Sequence, residues 1–180
     1  TVTLFSWAGF AYSFKFLWSP IIDLYQLPVI KRIGHRRSWL LLTQVLIFLS
    51  IILTSYSNPQ DNLLFMAICI VLIAFFSATQ DIVIDAFRIE YAPENEQGAL
   101  SSMYLAGYRI AMIISGAGSL WLASYLGAEN YNQNVWKTVY QIIALFMSVG
   151  LVCTLLSSEP SNNKRKNLSN FEQSKFSLST

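Results

Sequence analysis

The sequence predicts an all-α membrane protein, and three observations carry that prediction. Of its 180 residues 54% are hydrophobic, 14% aromatic and only 12% charged, where a soluble domain is roughly 25% charged. The apolar residues fall into successive runs of about 20, the helix length that crosses a hydrocarbon layer of about 30 Å. The lysines and arginines collect in the breaks on one side of those runs, as cytoplasmic loops do. A soluble helical bundle would need more charged surface than this composition supplies.

The first run covers 2–22, is rich in aromatic residues and is interrupted by Lys15, with Pro20 and Asp23 at its end. The polar stretch YQLPVIKRIGHRRS follows, carrying Lys31, Arg32, Arg36 and Arg37. A second run over 39–56 stops at SNPQDN, a turn-forming cluster, and a third spans 63–87. RIEYAPENEQG, punctuated by Pro93 and Gly98, separates it from a fourth run over 99–126. GAENYNQN makes the next break, and a fifth run covers 135–156. The bundle is thus expected over 1–157. Residues 158–180 are rich in serine, asparagine and charge, a composition that favours disorder.

Three basic regions fall on one side: the loop after the first run, the break opening with Arg88, and the tail with Lys164, Arg165, Lys166 and Lys175. SNPQDN has no lysine or arginine, and the GAENYNQN side has only Lys137. The basic side is expected to be cytoplasmic, which places the tail inside and the start of the first run outside. A preceding helix would account for that start. The expectation is therefore that Val2 begins the second helix of a larger bundle, a naturally truncated reading frame being the alternative.

Several kinds of chemistry are poorly served. Cys69 and Cys153 lie in apolar runs without a metal-ligand or disulfide spacing and read as core residues. No metal or cofactor is implied. A net charge of +2, with the basic residues in loops, argues against nucleic acid. His35, the one histidine, sits in the basic loop and reads as part of a solvated interfacial surface.

The informative stretch is SATQDIVIDAFRIEYAPENEQGALSSMYLAGYRI, which sets ionisable residues inside apolar runs. A charge facing lipid costs roughly 3 kcal/mol or more, so such residues need partners or a task. Counting from the cytoplasmic ends at 1.5 Å per residue, Lys15, Asp81 and Arg109 all lie at a depth of roughly 10 to 15 Å. They can meet only if three helices turn those faces towards a shared polar cavity. Asp81 and Asp85 are four positions apart, and Ser77 and Arg88 share their face. Neighbouring carboxylates repel, so Lys15 or Arg109 is needed to compensate. The arrangement suits a proton-coupling site or a static ion network that sets helix register. An intramembrane aspartyl protease fits poorly, because its two carboxylates must face each other across a gap whereas these lie side by side. No Ser/His dyad or H-E-x-x-H pattern occurs.

Four blocks, YSFKFLWSPIID, GHRRSWLLLTQ, SATQDIVIDAFR and GYRIAMIISG, resemble in order and spacing the AmpG-type muropeptide permeases of the major facilitator superfamily. The resemblance covers nearly all of 1–160 and corresponds to the second to sixth helices of a twelve-helix transporter, part of its amino-terminal half. It implies a multi-pass protein of the bacterial inner membrane that imports anhydro-muropeptides, anionic sugar-peptides from cell-wall turnover, driven by protons. It also implies a cytoplasmic signature loop, G-x-x-x-D-R-x-G-R-R, carried here by Asp23, Gly34, Arg36 and Arg37. Departures are Leu24 for the arginine after the aspartate, Ser19 at the small position before it, and His35 where arginine is frequent. The acetyl-CoA transporters share the FK-LW-P-D and ATQDI-VD patterns and are the alternative. Under either reading Lys15, Arg109 and Gln80 are candidates for holding an anionic substrate. Besides the bilayer, a second polypeptide supplying further helices is a possible partner, and a non-transporting remnant is the contrasting expectation.

Overall fold

Pro20 decides the shape of the first run. Its ring has no N–H to donate and collides with the carbonyl four residues earlier, so a helix entering from the amino-terminal side cannot pass through it intact. The run accordingly divides into α1 (Val2–Ser13), a 3-10 turn (Lys15–Leu17) and α2 (Ser19–Leu24), which carries Pro20 in its first turn. The apolar run over 2–22 is thus helical in pieces, with Lys15 at the break. The computed structural model describes residues 2–25, 27, 34–127 and 131–159. Lys31, Arg32 and the predicted tail beyond Glu159 lie outside the described residues.

Among the described residues, four helical stretches are long and apolar enough to cross a membrane. The first, α3 (His35–Ser55), follows Gly34, whose φ of 111° is open to glycine and strained for other residues. The second, α4 (Leu63–Tyr91), starts where the Asn62 side chain accepts the Phe65 N–H at 3.0 Å. After Pro93 and a 3-10 turn (Glu94–Glu96), α5 (Gln97–Ile113) continues through a π-helical turn (Ile114–Gly118) into α6 (Ser119–Tyr125). These make one stretch, Glu94–Tyr125. Gly127, at φ 87°, ends it. The fourth is α7 (Gln133–Leu156), capped by Asn132, which accepts the Asn134 N–H at 3.0 Å.

α3 packs between α4 and α7, and α1 packs along α4. The α3 interface inverts the pattern of a soluble core. Its buried residues include Ser38, Thr43, Gln44, Ser50, Thr54 and Ser55, while Val45, Leu49 and Leu53 are exposed. Small residues let helix backbones approach closely in lipid, where leucine has no solvent to escape. Their hydroxyls are satisfied locally: Ser50 donates to the Leu46 carbonyl and Thr54 to that of Ser50, both at 2.8 Å. Gln44 Nε2 donates to Thr154 Oγ1 at 2.9 Å and joins α3 to α7. Neither α5 nor the π turn buries any residue.

Candidate functional site

The charged cluster inside the bundle is built on α4. Because α1 and α4 run parallel, partners along them advance together. Tyr12 donates to Ser77 Oγ at 2.7 Å and Lys15 Nζ donates to Asp81 Oδ2 at 2.7 Å. Near the same level Trp18 Nε1 donates to Thr79 Oγ1 at 3.2 Å. The break in the first run puts Lys15 on a 3-10 turn beside Asp81. The second Asp81 oxygen, Oδ1, accepts the Tyr104 hydroxyl of α5 at 2.6 Å.

One turn further along α4, Asp85 pairs with Arg88 at 3.3 Å, and the Arg88 guanidinium lies 5.3 Å from the centre of the Tyr104 ring. The two carboxylates are therefore compensated separately, Asp81 by Lys15 and Tyr104, and Asp85 by Arg88. Lys15 and Asp81 retain 36% and 27% side-chain exposure. The pair is thus partly exposed and not sealed in a core.

Arg109 does not join this cluster. It is exposed and makes no hydrogen bond or ion pair among the described residues. The reason is azimuth: Arg109 lies five positions beyond Tyr104, about 140° around the helix and about 7.5 Å further along. When Tyr104 faces Asp81, Arg109 faces elsewhere. The three-helix cluster expected from Lys15, Asp81 and Arg109 is instead formed by Lys15, Asp81 and Tyr104. A tyrosine hydroxyl within an apolar helix is a donor in need of an acceptor, which is the signal that charge counting passed over. Gln80 is half-buried beside Asp81 on α4 and points off the Asp81 face.

A second polar centre lies where the ends of α2 and α4 meet the start of α3. Arg36, 4% exposed, donates from Nη1 to Asp23 Oδ1 at 2.6 Å. From Nη2 it reaches Glu90 Oε1 at 2.7 Å, and from Nε both Glu90 oxygens at 3.2 and 3.3 Å. This fork holds the ends of α2, α3 and α4 together. Beside it, Glu159 Oε1 accepts the Arg36 backbone N–H at 2.9 Å and Oε2 that of Arg37 at 3.2 Å. The Arg37 guanidinium in turn donates to the carbonyls of Thr154 at 3.1 Å and Leu155 at 2.7 Å. His35 is half-buried, with Nε2 3.1 Å from the Ile22 carbonyl, and so belongs to this joint more than to a solvated surface.

The sequence profile of the Major Facilitator Superfamily matches residues 1–179. This chain belongs to the Major Facilitator Superfamily. It is 40% identical over 163 residues to the anhydromuropeptide permease of Escherichia coli (strain K12), covering 90% of this chain and 31% of that protein. To the putative transporter AmpG 4 of Rickettsia felis it is 36% identical over 158 residues, 88% of this chain and 37% of that protein. To the putative transporter AmpG 1 of Rickettsia conorii it is 33% identical over 182 residues, 95% and 43% of the two chains. The chain spans about a third of the length of the curated relatives it matches. With its apolar helices it is a multi-pass inner-membrane protein.

Within this superfamily chain, the four signature-loop residues come together. Asp23 and Arg36 bond directly, Arg37 sits beside Glu159, and Gly34 leaves room for Glu159: a Cβ at Gly34 would collide with that carboxylate. Glu90 and Glu159 complete the joint and were not legible as partners, since they stand in the polar breaks that a search for membrane charges skips.

Proposed function

We propose that this superfamily chain forms part of a proton-coupled importer of anhydro-muropeptides, with Asp81 as the group that takes the proton. The observation that carries this reading is the placement of Asp81 between Lys15 and Tyr104 inside a membrane-length, mainly apolar helix. A proton on Asp81 removes the counter-charge of Lys15, and the freed ammonium is then available to an anionic group of the substrate. Release of that proton to the cytoplasm restores the pair and displaces the anion. The likeness to the Escherichia coli permease supports the choice of substrate class.

In this reading the first run crosses the membrane as a broken helix, giving five crossings, and the residues after 157 lie in the cytoplasm. The exposed face of α5, with Arg109, lines a cavity whose remaining walls come from further helices, in the same or a second polypeptide. The test is uptake of labelled anhydro-muropeptide by the full-length protein. Asp81→Asn is expected to reduce it by roughly a hundredfold, in the range seen for a removed acid–base group. Uptake at the parental rate would end the proposal.

A further inference from the structure

α5 is the least secured helix of the bundle. None of its residues is buried, and Met103, Leu105, Tyr108 and Ile110 are each more than half exposed. At its start Gln97 Nε2 closes the carbonyls of Arg88, Ile89 and Ala92 at 3.0 to 3.3 Å, fastening the turn between α4 and α5. Beyond Gln97, among the described residues, the side chain of α5 that hydrogen-bonds another helix is Tyr104, on Asp81. Among the described residues, Asp81 is thus the acceptor through which a side-chain hydrogen bond links the middle of α5 to α4.

The groups facing Asp81 come from three elements: Tyr12 and Lys15 from the first run, Asp85 and Arg88 from α4 itself, and Tyr104 from α5. Each Asp81 oxygen serves a different neighbour, Oδ2 the ammonium and Oδ1 the phenol. Hydrogen bonds to an ionised acceptor are roughly twice as strong as neutral ones. A proton on Asp81 therefore weakens the Tyr104 bond at the moment it dismisses Lys15.

We propose that Tyr104 is a positioning residue that transmits the charge state of Asp81 to α5: the ionised carboxylate holds α5 against α4 through the phenol, and the protonated one releases it. This rests on the reading of Asp81 as proton carrier. The Arg88 guanidinium over the Tyr104 ring does not depend on the hydroxyl, so Tyr104→Phe removes the hydrogen bond while leaving the ring and its cation.

The test uses the full-length protein in proteoliposomes, with Cys69→Ser and Cys153→Ser, and spin labels on Ser102→Cys and Ser158→Cys. Both label positions are exposed, on α5 and just after α7. In this parent, acidification is expected to shift the distance between labels. Tyr104→Phe is expected to show the acidic distribution at every pH, with uptake reduced roughly tenfold and its pH profile flattened. Tyr104→Phe retaining the parental shift, while Asp81→Asn loses it, overturns this proposal alone. Asp81→Asn transporting and shifting like the parent overturns the Asp81 reading and this proposal with it. Correct folding of Tyr104→Phe is checked by a single cooperative thermal transition close to that of the parent.

Discussion

Arg37 and Glu159 cap each other's helices. The Glu159 carboxylate receives the first N–H groups of α3, and the Arg37 guanidinium closes carbonyls in the last turn of α7. Each charge also lies at the helix end whose dipole it complements. Two contacts on one joint thus tie the start of one membrane helix to the end of another. Removing Glu159 as Glu159→Ala is expected to lower stability by about 1–2 kcal/mol, and Glu159→Gln by about half that. Thermal unfolding in detergent checks this; equal transitions for all three proteins would contradict the capping role.

Gly34 should be equally intolerant. Gly34→Ala imposes a side chain at φ 111° and drives its Cβ into the Glu159 carboxylate. A loss of about 1–3 kcal/mol is expected. In the Glu159→Ala background the loss should shrink, since the collision disappears and the backbone strain alone remains.

The Arg36–Glu90 fork predicts a coupling energy. Arg36→Met leaves the largely buried Glu90 carboxylate without its cation, and Glu90→Gln leaves Asp23 as the carboxylate paired with the Arg36 guanidinium. Each single change is expected to destabilise by about 3 kcal/mol, and the double change by less than the sum, with a coupling of about 1–3 kcal/mol. A double-mutant cycle on unfolding transitions measures it. Strict additivity would mean that the fork contributes nothing as a pair.

How far the sequence reaches is clear from these residues. Lys15 and Asp81, 66 positions apart, were matched by counting residues from the cytoplasmic ends, because both helices rise at the same rate. Depth is a one-dimensional measure, however, and it holds no information on which way a helix is turned. Arg109 stands about 7.5 Å along the helix from Tyr104 and on another face, while Tyr104 has both the level and the azimuth of Asp81. The break at Lys15 follows from Pro20, but its effect on where the lysine points depended on the packing of α1 against α4. Glu159 meets Arg36 across 123 positions, a pairing set by how α3 and α7 pack and by no local pattern.

Arg109 makes a contrasting prediction to Lys15. Arg109→Gln removes a side chain with no bond among the described residues, so its stability should stay within about 0.5 kcal/mol of the parent. Lys15→Met leaves Asp81 without its cation and should be less stable, with Lys15→Met/Asp81→Asn recovering part of the loss. In uptake, Arg109→Gln is expected to raise KM with little change in kcat if the exposed guanidinium meets the substrate. An unchanged KM would remove Arg109 from the binding surface.

The π-helical turn at Ile114–Gly118 has a separate consequence. A π turn takes in one residue more than an α-helical turn of the same rise, so it works as a phase shifter between α5 and α6. The face that Tyr104 and Tyr108 present is not continued by the residues an unbroken helix would bring there. Trp121 and Tyr125, stacked on each other at 5.7 Å, are turned by about 100° from where an unbroken helix would place them. The aromatic pair beyond the π turn and the tyrosine at the charged cluster can therefore face different directions, although one rod carries both.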